Sequence, residues 1–73
     1  MGDIRLGSRI RAFRKLKGFT QQQLASEMGV SLSFVGTLER GTKPPTELVL
    51  RKIANTLQVE YEELCAINKG NEK

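Results

Sequence analysis

The sequence predicts an all-α chain of five short helices, and three observations predict it. Gly18, Gly29 and Gly41 each close a segment in which apolar residues recur at helical spacing, and each suits the left-handed residue just past a helix end. Thr20, Ser31 and Thr46 stand where N-caps belong, and Thr20 with Gln23 makes a capping box in which each side chain satisfies the other's backbone N–H. No stretch alternates apolar and polar residues as a half-buried strand requires.

The first helix is expected from Asp3 to Lys17, with Leu6, Ile10 and Phe13 on one face at i, i+4 and i+7. The second covers Gln21 to Met28 and presents Leu24, Ala25 and Met28. The third runs from Leu32 to Arg40 and buries Val35 and Leu38. Lys43-Pro44-Pro45 forces an extended link, because the residue before a proline avoids the helical region. The fourth helix, Glu47 to Leu57, buries Leu50, Ile53, Ala54 and Leu57, and a short fifth near Tyr61 to Ala66 closes the core through Val59 and Leu64. One domain is expected over residues 1–67, followed by a polar tail, 68–73, for which no order is expected. No internal repeat or low-complexity segment is present.

Composition narrows the function classes. The 73 residues include no histidine, so the commonest general base and metal ligand is missing. The single Cys65 provides neither a zinc site nor an activated thiolate pair, and it fits a reducing cytoplasm. None of the eight carboxylates falls into a metal-loop spacing. No catalysis, metal, cofactor or small-molecule ligand is therefore expected. No apolar run approaches the roughly 20 residues that span a bilayer, and the first residues carry no apolar signal stretch, so no membrane association is expected. The net charge of +4 is unevenly spread: residues 1–18 carry +5 and the remainder −1. That asymmetry fits a face meant for an anionic partner, although a basic helix face is often only solvated surface.

The second and third helices, joined by Gly29-Val30-Ser31, are the informative unit. Two helices crossing steeply over so short a turn must approach closely. Ala25 lets them touch, Gly29 permits a positive φ, and Val35 wedges beneath the third helix, with Leu24, Met28, Val30 and Leu38 completing the shared core. Any small helical hairpin could show this spacing alone. The wider run narrows the choice: Ile10-Arg11, Arg14-Lys15, Lys17-Gly18, Thr20-Gln21, Leu24-Ala25, Gly29-Val30-Ser31, Leu38-Glu39-Arg40-Gly41, Pro45 and Lys52-Ile53-Ala54. Across residues 4–66 the chain resembles the Cro and phage-repressor (XRE-type) helix-turn-helix family.

The resemblance implies a compact five-helix bundle whose third helix enters the DNA major groove. Base-edge positions would fall on Leu32, Ser33, Gly36 and Thr37. Phosphate contacts would fall on Gln21, Phe34, Thr42 and Lys43, with Arg9 and Arg11 adding attraction. Gln23 reads as a capping residue and Gln22 as a solvated one. The family also implies an ion pair between Arg14 and Glu39. Leu32, Ser33, Gly36 and Thr37 include no Arg, Asn or Gln, so direct base readout is expected to be modest, with shape and phosphate contacts contributing much of the affinity. Apolar Leu48 and Val49 stand where polar residues are usual in the family, Glu47 where an apolar one is usual, and Glu60 where Ser commonly caps the fifth helix.

Relatives of this kind imply a bacterial or phage-encoded cytoplasmic transcriptional regulator, a repressor in the first instance, binding double-stranded DNA as a homodimer on a near-palindromic operator. Tyr61 is the leading dimer-contact position, with Leu48, Val49 and Cys65 extending an apolar patch; a Tyr61 that only covers the core is the competing reading. An antitoxin-like or other protein-interaction module on the same fold is the alternative function.

Overall fold

The stops of the first four helices are made by one backbone device. In the computed structural model, which describes residues 3–65, the chain runs α1 (Asp3–Leu16), α2 (Gln21–Met28), α3 (Leu32–Arg40), α4 (Glu47–Leu57) and α5 (Tyr61–Cys65). At the end of α1, Phe19 N–H donates to Arg14 O at 2.9 Å and Gly18 N–H to Lys15 O at 3.0 Å, the paired bonds of a Schellman turn. The same pair recurs after α2 at Gly29 and Val30, after α3 at Gly41 and Thr42, and after α4 at Gln58 and Val59. Three of the four pivots are glycines with φ of +81°, +72° and +75°; the fourth is Gln58, with φ of 59°.

The starts follow the expected caps. Thr20 Oγ1 accepts from Gln23 N–H at 3.0 Å while Gln23 Oε1 accepts from Thr20 N–H at 2.8 Å. Ser31 Oγ accepts from Phe34 N–H at 3.1 Å, and Thr46 Oγ1 from Val49 N–H at 3.2 Å. α1 ends one residue before the expected Lys17, whose N–H still donates to Phe13 O at 3.0 Å. Ala66, the expected last residue of the fifth helix, and the tail 68–73 lie outside the described residues.

Ile10 of α1, Leu24, Ala25 and Met28 of α2, Val35 and Leu38 of α3, the four expected residues of α4, and Leu64 of α5 form one buried core. Leu6, Phe13, Val30 and Val59 pack against it from its margins. α1 is the hub: it packs on α3, α4 and α5, while α2 packs on α3 and α4. Its crossing with α3 is close enough that a Cβ at Gly7 would lie 2.5 Å from Glu39 O and 2.6 Å from Leu38 O. Gly7 carries no turn signal in the sequence; its role exists only once the two helices meet.

Candidate nucleic-acid interface

The start of α2 is a donor-rich concavity. The capping box occupies the Thr20 and Gln23 N–H groups, but those of Gln21 and Gln22 precede the first intrahelical bond and have no partner among the described residues. Partial positive charge from the helix dipole collects at the same end. Arg11, Arg14, Thr20, Gln21, Gln22 and Leu32 line this open hollow, of about 570 Å³, together with Phe19. Arg11 is exposed there.

Arg14 stands beneath it as a fixed strut. Its side chain is 8% exposed and that of Glu39 4%, and the two meet bidentately: Nε donates to Oε2 at 2.5 Å and Nη2 to Oε1 at 3.2 Å. Nη1 donates to Phe19 O at 2.7 Å, tying the turn after α1 to the same point. Gln21 Nε2 donates to Glu39 Oε1 at 3.0 Å, which leaves the second amide hydrogen of Gln21 available. The structure thus brings Arg14, Gln21 and Glu39 together, so α1 and α2 share one carboxylate of α3.

The outer face of α3 follows from its inner one. With Val35 and Leu38 in the core, 100° per residue turns Ser33, Gly36, Thr37 and Arg40 outward. Ser33 is exposed and Leu32 is 48% exposed. Thr37 is half-buried and its hydroxyl donates to Ser33 O at 2.8 Å, so its oxygen is left as an acceptor. Gly36 is buried even though it lies on the outward face, because Arg40 folds back over it. That Arg sets a long donor on the same face as Leu32, Ser33, Gly36 and Thr37, which themselves include none. Its spacing, four residues after Gly36 and three after Thr37, was the signal available for it.

Three of the expected phosphate contacts look different in place. Phe34 packs its ring against the core and its N–H is already bonded at Ser31, so it has no donor to offer. Arg9 is held against α5: Nε donates to Leu64 O at 3.0 Å, Nη2 to Glu63 O, and the guanidinium lies 5.5 Å from the Phe13 ring centre. That guanidinium satisfies two carbonyls of α5 rather than facing the hollow. Thr42 is exposed, but its hydroxyl donates to Thr37 O at 3.4 Å. Lys43 is exposed beside it.

A separate surface forms on α4 and α5. Leu48 is 78% exposed, while Val49 is half-buried against the core. Arg51 donates from Nε to Glu47 Oε2 at 2.8 Å and lies 4.1 Å from the Tyr61 ring centre. Tyr61 and Cys65 are both half-buried, four residues apart on α5. Burial and the Cys65 neighbour push the Tyr61 hydroxyl above its ordinary pKa, and burial pushes the Cys65 thiol up. Among the described residues no group of His, Cys, Asp and Glu could hold a metal, and no helix is long and apolar enough to cross a membrane.

Comparison with known proteins agrees with this architecture. A family model described as helix-turn-helix matches residues 10–64. The chain is similar to the uncharacterized HTH-type transcriptional regulator YazB of Bacillus subtilis, 43% identical over 63 residues that cover 86% of this chain and 91% of YazB. It is 45% identical over 60 residues to the HTH-type transcriptional regulator SlrR of the same organism, covering 81% of this chain but 40% of that longer protein. Among solved structures, the restriction-modification controller protein C.AhdI from Aeromonas hydrophila matches with a TM-score of 0.83 at 35% identity, covering 86% of this chain and 91% of that one.

Proposed function

The chain belongs to the helix-turn-helix family, and from that premise we propose that it is a transcriptional regulator that binds double-stranded DNA sequence-specifically. The observation that carries this reading is the outward half of α3 set beside the unpartnered N–H groups and exposed Arg11 at the start of α2. In the major groove, Leu32 would meet a thymine methyl, while Ser33 and Thr37 would make single or water-mediated bonds to base edges. The Gln21 amide, the N–H groups of Gln21 and Gln22, Arg11 and Lys43 would hold phosphates on either side. The Arg14–Glu39 pair would hold the helix that meets the phosphates rigid against the one that meets the bases.

Two copies related by a two-fold axis would place their α3 helices about one helical turn of DNA apart, roughly 34 Å, on a near-palindromic operator. Tyr61 with Leu48 is the surface favoured for that contact, since Leu48 is an exposed apolar side chain on α4, the helix whose Arg51 covers the Tyr61 ring. Occupying an operator blocks transcription without further machinery, so repression in the cytoplasm is the simplest mode of action, and it requires no chemistry from the protein.

Selection from a random duplex library, followed by anisotropy titration at two salt concentrations, tests the reading. Enrichment of a near-palindromic site with an affinity that falls steeply with salt is expected, because phosphate contacts release counterions. Enrichment of nothing, with weak binding to every duplex, would overturn it in favour of a protein-interaction module.

A further inference from the structure

Arg40 follows Ser33 by seven residues, Gly36 by four and Thr37 by three, so it continues the outward stripe of α3. A Cβ built on Gly36 would lie 3.1 Å from Arg40 Nη1 and 3.9 Å from its Cζ, with no other neighbouring side chain inside 4 Å. The guanidinium therefore rests against backbone that carries no side chain. A basic residue in a last turn ordinarily favours the carbonyl end of its helix. Helical side chains also lean back toward the N-terminus, and this one reaches the turn of Gly36, toward the half of α3 that holds Leu32 and Ser33.

No described residue neutralises it. The adjacent Glu39 carboxylate is held by Arg14 and Gln21, and Glu47 is held by Arg51. Among the described residues Arg40 makes no ion pair, so its rigid fork of donors is available to a ligand.

We infer that Arg40 is the base-reading cation of this protein, donating a bidentate pair to O6 and N7 of a guanine, and that Gly36 is retained as the space in which its guanidinium lies. The inference rests on the DNA-binding reading above and deepens it. Leu32, Ser33 and Thr37 offer apolar contact and single bonds, whereas a guanidinium matches the guanine edge in two places. A glycine in mid-helix is disfavoured by backbone entropy. Here its absent Cβ lets a side chain from the last turn reach base edges that the first turns approach.

The test uses the whole chain and its selected duplex, with affinity measured for every single base-pair substitution. In the unsubstituted protein, one G·C pair per half-site is expected to discriminate by roughly 5- to 150-fold, the range of a good bidentate contact. Arg40→Ala should level that one position and leave the profile at the others intact. Gly36→Ala should weaken the same position by moving the guanidinium, while circular dichroism shows the helix unbroken. A uniform loss on all duplexes after Arg40→Ala, with the salt slope reduced by about one, would make Arg40 a phosphate contact and overturn the inference. An unchanged base profile would overturn it as well. Either result leaves the DNA-binding reading standing, which fails only if the unsubstituted chain selects no site.

Discussion

At the scale of single residues, two positions carry consequences out of proportion to their size. Gly7→Ala is expected to destabilise the protein by about 1–3 kcal/mol, because the new methyl meets two backbone carbonyls of α3 that have no room to yield. Helix propensity alone predicts the opposite sign, a gain of about 1 kcal/mol, so a urea titration that shows higher stability would refute the close crossing. Glu39→Ala strands the guanidinium of Arg14 in the interior and is expected to cost about 3–5 kcal/mol. Glu47→Ala, which removes the partner of an exposed Arg51, should change stability by less than about 1 kcal/mol. Equal effects of the two carboxylate deletions would contradict the difference in burial on which this contrast rests.

At the scale of elements, α4 ends with the same turn as α1, α2 and α3 but without their glycine. Gln58 holds a φ of 59°, a region that costs a residue with a side chain about 1–2 kcal/mol. Gln58→Gly should therefore raise stability, by about 0.5–1 kcal/mol once the extra backbone entropy of glycine is subtracted. The urea midpoint would rise with an unchanged m-value; a lower midpoint would mean that the Gln58 side chain has contacts worth more than its strain. The difference between these pivots also shows what was legible in the sequence. Thr20, Ser31, Thr46 and the glycines at 18, 29 and 41 act through bonds to residues within a few positions, so their spacing alone locates the helices. Gln58 has no distinguishing chemistry and becomes visible only through its backbone angle. Gly7, Arg9 and Arg40 depend on which helices cross, which end of a neighbour lies within reach, and which way a long side chain folds. The face of α3, with Arg40 on its stripe, could thus be read from periodicity, while the return of that side chain over Gly36 could not.

At the scale of the molecule, the chain has no histidine, so no side chain has its ordinary pKa between about 5 and 8, and stability should hardly vary with pH near neutrality. The alkaline side differs. Cys65 and Tyr61 both have folded-state pKa values raised above their ordinary ones, chiefly by burial, and both are neutral when protonated. Their contribution is intact below the ordinary thiol range and declines as pH rises, because the unfolded chain loses these protons first. The Tm should begin to fall above about pH 8.5, and Cys65→Ala should delay that fall. A Tm that climbs with alkali would reverse the sign and rule the account out. The shared carboxylate of Glu39 has a different consequence, for anyone wishing to change what this domain recognises. It binds α1 through Arg14 and α2 through Gln21 from a position on α3 itself. Exchanging the whole of α3 for another would remove the clamp together with the reading face. Under the proposed DNA-binding reading, only the outward positions 32, 33, 36, 37 and 40 would be rewritten as a cassette, while Val35, Leu38 and Glu39 would stay with the scaffold.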